Sequence, residues 1–355
     1  MKVLALTRYD RRGASSRLRT LQFVPGLAEL GIEVVPRPLL DGAFLERRYA
    51  ERRADPIAVA RAYLARAASL RRDEGWDLVW LEKEAFPWFP SFGERLLATY
   101  RAPVLAEYDD AWFHRYDQHR SPIVRALLGG KLDAIMRRAA TVVAGNAYLA
   151  ERARGAGARR VEILPTCVDL SRYPVGPPRS DTIPFTVGWI GTPLTAHYLE
   201  TLAPALRRLA TDGPLRVVAV GAGGVELPGV VTERPVWSEA TEAESIAAFD
   251  VGVMPLPDSP WERGKCGYKL LQCMASAKAV VASPVGVNAS IVRDGENGFL
   301  APDEAGWVDA LRTLRDEPDR RHAMGASGRR LVEERFSVAV NLPRLAAILR
   351  EAASP

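Results

Sequence analysis

Long apolar runs are missing from this 355-residue chain. No stretch approaches the ~20 continuous apolar residues that a membrane span requires. The opening MKVLALTRYD turns charged too soon for a secretory leader and reads as a first strand. Cysteine is scarce: Cys167, Cys266 and Cys273 make three, without metal-ligand spacing. That odd count argues against a disulfide scaffold and for a reducing, cytoplasmic setting. Histidine is nearly as rare, with four in all. His114 and His119 lack the partner pattern of a metal site, and no Ser/His/Asp or Cys/His arrangement stands out, so no metal is expected. Neither half has a G-x-G-x-x-G turn between strand and helix, which disfavours a dehydrogenase. Low-complexity tracts and periodic Gly or Pro are lacking too, and fibrous classes are excluded with them.

What the sequence does hold is unevenly placed charge. There are 48 Lys and Arg against 43 Asp and Glu, a formal net charge of +5. Residues 1–175 account for about +8 and the remainder for about −3. The excess lies in Arg47, Arg48, Arg52, Arg53, Arg61, Arg66, Arg71 and Arg72, along a helical stretch. A solvated Arg-rich face interleaved with Ala, Leu and Glu is the favoured reading. The alternative is attraction to an anionic acceptor or to lipid headgroups, a peripheral contact with the inner face of a membrane. No aromatic residues alternate with those arginines, so nucleic acid is not an expected partner.

Hydrophobic periodicity gives two series of strands and helices. Val3–Thr7 is a short apolar run, followed by a helix from about Ser16 with Leu21, Val24, Leu27 and Leu30 at helical spacing, ending at Gly31. Ile32–Val35, Leu78–Leu81, Val104–Ala106, Thr141–Ala144 and Val161–Leu164 continue as strands separated by helix-length intervals. The segment Tyr173-Pro-Val-Gly-Pro-Pro-Arg-Ser-Asp181 breaks this rhythm, since its prolines fit neither a helix nor a central strand, and it reads as a linker. A second series follows in Phe185–Ile190, Leu215–Val220, Val251–Met254 and Ala279–Ala282. Leu331–Phe336 and Leu342–Leu349 read as terminal helices interrupted near Pro343. The architecture expected is α/β: two doubly wound, Rossmann-like parallel-sheet domains in tandem, with ligand at the carboxyl ends of the strands. Residues 1–175 form the first, 182–337 the second, and 338–355 a last helix that packs back on the first.

The sharpest local feature is Glu262-Arg-Gly-Lys-Cys-Gly-Tyr-Lys-Leu-Leu-Gln-Cys-Met-Ala275. Gly264 and Gly267 allow a tight turn and close backbone approach before a helix, whose first amides and dipole favour an anion. Lys265, Lys269 and Gln272 fall at i, i+4 and i+7, so if helical they share a face, and the two lysines would neutralise a diphosphate. Glu262, Arg263 and Tyr268 line the same segment. Trp189-Ile-Gly-Thr-Pro-Leu-Thr195 follows a strand, and there Gly191 and Thr192 would offer an amide and a hydroxyl to the same phosphates. Gly221, after another strand, makes room for a base or a tight turn, and Trp237 stacks on a nucleobase or belongs to the core. In the first domain Arg11-Arg-Gly-Ala-Ser-Ser-Arg17 places the small Gly13, Ser15 and Ser16 above the sheet, with Arg17 within reach of an anion. Asp109 and Asp110, adjacent carboxylates at a strand end, suit binding of acceptor hydroxyls or work as a base; capping of the next helix is the plain alternative.

At these residues the chain resembles the GT-B family of retaining glycosyltransferases called family 4. Cys273-Met-Ala-Ser-Ala-Lys-Ala-Val-Val-Ala-Ser-Pro-Val-Gly286 is similar to its "EAMA-x-G-x-PVVAS" stretch, and Val292-Arg-Asp-Gly-Glu-Asn-Gly-Phe-Leu300 to the "V-x-DG-x-NG-x-L" turn that follows. Ile163-Leu-Pro-Thr-Cys-Val-Asp169 resembles the "I-P-N-G-V-D" that ends the first domain, and Ala144-Gly-Asn146 the "S-x-N/S" position after the fifth strand. The resemblance implies two domains facing a cleft, a nucleotide-sugar donor such as a UDP-, GDP- or dTDP-sugar, no cofactor and no bound metal. It also implies transfer with retention to the hydroxyl of a glycan, a lipid-linked sugar or a small molecule, in envelope, glycolipid or secondary-metabolite synthesis. Two departures stand out. The family's glutamates, eight positions apart, fall on Gly264 and Gln272, and its Arg and Lys after "Gly-Thr" are missing from Pro193-Leu-Thr-Ala-His197. Lys265 and Lys269 are read as taking over diphosphate neutralisation, while amides of Gly191 and Gly267 stabilise the leaving group. Rival readings are an inactive sugar-nucleotide-binding subunit and a GT-B-like nucleotide-sugar epimerase.

Overall fold

The apolar runs condense into two parallel sheets. The computed structural model describes residues 1–51, 55–71, 74–99, 102–176 and 184–354. Arg52, Arg53, Arg72, the side chain of Arg48, residues 177–181 of the expected linker and residue 182 lie outside the described residues. The first sheet contains β1 (Lys2–Leu6), β2 (Glu33–Pro36), β3 (Leu78–Glu82), β4 (Val104–Tyr108), β5 (Thr141–Ala144) and β6 (Val161–Ile163), in the order β2-β1-β3-β4-β5-β6. The second contains β7 (Phe185–Ile190), β8 (Leu215–Val220), β9 (Thr232–Glu233), β10 (Val251–Met254), β11 (Ala279–Ala282) and β12 (Gly298–Leu300), in the order β12-β11-β10-β7-β8-β9. Every residue of β3, β5, β7, β10 and β11 is buried. That is why these strands read as continuous apolar runs instead of alternating ones.

Contacts divide the chain into two compact units. The first is Met1–Thr166 with Arg263–Cys266 and Val338–Pro355; the second is Cys167–Glu262 with Gly267–Ser337. The second unit's core joins Val187, Trp189, Leu206, Val217, Val253 and Val281. In the first unit the closing helix Val338–Ala353 packs against β3 and β4.

Several elements differ from the sequence reading. The helix expected from Ser16 to Leu30 is broken into Ala14–Arg19, a 3-10 turn Leu21–Phe23 and Val24–Glu29, because Thr20 leaves helical geometry at φ −122°, ψ −62°. Val338–Ala353 runs through Pro343 without interruption. Leu345, Ala346, Ile348, Leu349 and Ala352 are buried along it, and that packing outweighs one missing backbone donor. Leu331 ends the helix Pro318–Leu331, and Val332–Phe336 follows as a π turn. Among the basic residues, Arg66 of the helix Pro56–Ser69 points inward and donates to the carbonyls of Thr7 (2.9 Å) and Arg37 (2.8 Å). Among the described residues no helix is long and apolar enough to cross a membrane.

Candidate active site

In the second sheet the strand order reverses between β7 and β10, the point where doubly wound sheets open a crevice at the strands' carboxyl ends. Gly191 follows β7 and Gly221 follows β8. Gly221 sits at φ +71°, and a Cβ there would strike the Gly191 carbonyl oxygen and approach Trp237 Cβ at 3.0 Å. A Cβ on Gly191 would meet the Trp189 ring and lie 2.7 Å from Lys269 Nζ. Lys269 Nζ itself stands 4.9 Å from the Trp189 ring centroid. Two side-chain-free positions, two indoles and one ammonium thus converge beside the start of the helix Tyr268–Ala275. Gly267 opens that helix at φ +68° with no side-chain cap, which leaves its first turn without the usual hydroxyl or carboxylate over the amides.

Half-buried Trp237 donates from Nε1 to Glu242 (2.8 Å), and the Tyr173 hydroxyl donates to the same carboxylate (2.6 Å). Buried Gln272 donates in turn to the Tyr173 oxygen (3.0 Å). Gln272 thus sits behind the indole, at the far end of a relay that anchors it. Glu262 is buried, accepting from the hydroxyls of Tyr198 and Ser259.

Two details of the expected phosphate site, the Gly191 amide and the placing of Lys265, are corrected. The Gly191 amide donates to the Val220 carbonyl (3.0 Å), extending the β7–β8 ladder, so it is not available to an oxyanion. Thr192 closes a local turn in which its amide and carbonyl both meet Thr195 Oγ1, at 3.4 and 3.2 Å. The helix starts at Tyr268, so Lys265 does not share a helical face with Lys269 and Gln272. Lys265 belongs with Arg263, Gly264 and Cys266 to the first unit.

The first unit presents a dense ionic rim after β3 and β4. Lys83, at φ +61°, is buried and pairs with Asp109 (2.6 Å), Glu82 (3.4 Å) and the Ser15 hydroxyl (3.1 Å). Ser16 donates to Glu82 at 2.6 Å. Burial alone would push the Asp109 carboxyl up, but the Lys83 ammonium, its hydrogen bond and Ser15 hold it below the usual range. Asp110 is pushed up by burial and by the charge of Asp109, against the pull of Lys265 at 3.8 Å. Neither caps the following helix, whose N-cap position is Phe113. Asn146 accepts from Leu149 N–H, capping the helix Ala147–Gly155, while its amide donates to the Gly264 and Lys265 carbonyls, each bond at 3.0 Å. Cys266 donates to the Asp109 carbonyl (3.1 Å), and burial pushes its thiol up to about 12. Gly264 presses on Ala111, where a Cβ would strike the Ala111 backbone nitrogen at 2.6 Å. Gly13 packs on the Tyr9 side chain. Arg17 is buried, with Nη1 donating to the Arg11 carbonyl (3.2 Å).

Sequence reasoning missed Glu82, Lys83 and Glu84, all buried. The signal was present: three consecutive charged residues directly follow the apolar run Leu78–Leu81, at a strand end where charges gather only if paired. Among the described residues no group of three or more His, Cys, Asp or Glu is placed to hold a metal.

Two six-stranded parallel sheets in two compact units give the two-domain α/β fold called GT-B. The chain superposes on sucrose-phosphate synthase from Thermosynechococcus elongatus over 100% of both chains, with a TM-score of 0.71 at 17% identity. It superposes on Anabaena HepE, solved in complex with UDP-glucose, over 99% of this chain and 100% of that one, with a TM-score of 0.70 at 17% identity. Residues 184–317 match the family described as Glycosyl transferases group 1. Among curated relatives, D-inositol 3-phosphate glycosyltransferase of Kineococcus radiotolerans is 31% identical over 219 residues, 50% of this chain and 48% of that protein. Alpha-D-kanosaminyltransferase of Streptomyces kanamyceticus is 30% identical over 168 residues, 44% of this chain and 42% of that protein. The chain therefore spans about half the length of the curated relatives it matches.

Proposed function

We propose that the protein is a glycosyltransferase that moves a sugar from a nucleotide-sugar donor to an acceptor hydroxyl, with retention at the anomeric carbon. The observation that carries this reading is the convergence of Gly191, Gly221, Trp237 and Lys269 at the switch point of the second sheet, inside the segment matched by the family. The small residues leave room for a nucleotide, Trp237 offers a face for the base, and Lys269 with the uncapped helix start neutralises the diphosphate as it departs. Lys265, tied to the first unit, acts on Asp110 instead. Asp110, the carboxyl pushed upward, takes the proton of the acceptor hydroxyl, whereas Asp109 stays ionised against Lys83.

A thermal-shift panel of UDP-, GDP- and dTDP-sugars, followed by product analysis with and without acceptors, tests the reading. One donor should stabilise the chain, and its sugar should pass to an acceptor. Conversion of the donor sugar without any acceptor, or binding without turnover on any acceptor, overturns it. Lys269→Ala should weaken donor binding roughly tenfold or more, the loss expected of a charged hydrogen-bonding partner; unchanged affinity and turnover refute its role.

A further inference from the structure

Arg8 lies two residues beyond β1, where the first sheet's order passes from β1 to β3, its own switch point. The Arg8 guanidinium stands 4.1 Å from the Trp112 ring centroid, and Arg115 stands over the same ring at 4.2 Å. Arg8 Nε and Nη1 are buried and have no hydrogen-bond partner. Among the described residues its carboxylate neighbour is Glu84 at 3.7 Å, too far for a hydrogen bond. Glu84 is already occupied: it accepts from Trp112 Nε1 (2.8 Å) and the Tyr116 hydroxyl (2.8 and 2.9 Å), and it pairs with Lys131 (2.8 Å). A guanidinium donor buried without a partner is costly, and an oxyanion oxygen is the acceptor that such a charged donor binds most strongly. Trp112 and Arg115 are half-buried, so solvent reaches the cluster.

We propose that Arg8 and Arg115, gathered around Trp112, form an oxyanion subsite that selects acceptors carrying a phosphate or carboxylate group. The word acceptor rests on the transferase reading above; the anion site itself does not. An incoming oxyanion takes up the donors that Arg8 leaves unused and offsets two like charges held on one indole.

The test uses the full chain in a Lys269→Ala background, which weakens phosphate binding at the donor helix and leaves Arg8 and Arg115 untouched. Inorganic phosphate and, separately, acetate are titrated in, followed by tryptophan fluorescence and thermal shift. Phosphate or acetate should bind, and the tighter of the two names the acceptor's group. Adding Arg8→Gln or Arg115→Gln should weaken that binding roughly tenfold or more. Trp112→Phe should remove the fluorescence response while the thermal shift persists. Should Arg8→Gln fail to fold, Arg115→Gln, half-exposed at its site, carries the test alone. Equal binding by both arginine variants, or no binding of either anion, overturns the subsite. Neither result depends on transfer: a chain that binds phosphate through Arg8 yet transfers no sugar from any donor sinks the transferase reading and leaves this one standing.

Discussion

Gly221 is held at φ +71° with the Gly191 carbonyl where its Cβ would be, so both backbone strain and a collision oppose any side chain there. Gly221→Ala should cost about 1–3 kcal/mol of stability and lower nucleotide affinity more than turnover, as read by urea unfolding and donor titration. The paired carboxylates separate by titration instead. Asp109 is held below its ordinary range by Lys83, so its contribution to stability is present above the unfolded-state value near ~3.9 and is lost as pH falls through the lower folded-state value. Asp109→Asn leaves the buried Lys83 ammonium with Glu82 as its carboxylate partner and should destabilise by about 1–3 kcal/mol at neutral pH while flattening acid unfolding. Asp110, pushed the other way, should set the acidic limb of kcat/KM above the ordinary aspartate range. Because the two carboxyls interact, that limb reports the pair. Asp110→Asn should abolish the limb along with most of the rate; a limb that survives the substitution assigns the proton elsewhere.

Asn146 links two elements through one side chain, its oxygen capping the helix Ala147–Gly155 and its nitrogen binding the carbonyls of Gly264 and Lys265. Asn146→Asp keeps the acceptor and loses both donors, whereas Asn146→Ala loses everything. The alanine variant should therefore be less stable than the aspartate one by roughly 1 kcal/mol, the worth of a cap, and equal melting of the two would remove the cap from the account. Pro343 is exposed inside a continuous helix, so Pro343→Ala should raise the thermal midpoint, with a gain of about 1–3 kcal/mol. Ten of the twelve strands were legible, because buried parallel strands appear as short apolar runs between helical stretches. The two that were not are Thr232–Glu233, a polar pair, and Gly298–Leu300, which opens on a glycine; neither has apolar side chains at both ends like the similarly short Val161–Ile163. Gly191 and Gly221 were legible as glycines directly after strands. The Arg8, Glu82, Lys83 and Glu84 cluster was not, because its meaning depends on which strand ends the sheet order brings together. The partition of Glu262–Lys269 between two units was hidden for the same reason: helical spacing described residues that precede the helix.

At the scale of the whole chain, sequence order and compact unit do not coincide. The first unit is completed only when Val338–Ala353, distant in sequence, settles on β3, β4 and the segment near Val24–Glu29. Leu345, Ile348 and Leu349 are each at most 4% exposed there; Arg350 donates to the Leu30 carbonyl at 2.7 Å, and Arg160 pairs with Glu351. Each of those three aliphatic side chains contributes about 1.5–3 kcal/mol by burial. Their loss together is comparable to the whole stability of a domain, about 5–15 kcal/mol. The second unit closes on itself differently, with the Val168 amide donating to the Phe336 carbonyl (2.8 Å) where the chain enters and leaves it. A chain ending at Ser337 should therefore lose the first unit and keep the second. Calorimetry of the truncated chain should show one surviving transition, and limited proteolysis should leave a fragment beginning near residue 167 that still binds the nucleotide. Two transitions as in the full chain would mean that the first sheet is stable with its apolar face uncovered, and that the last helix is an ornament to the fold instead of part of its core.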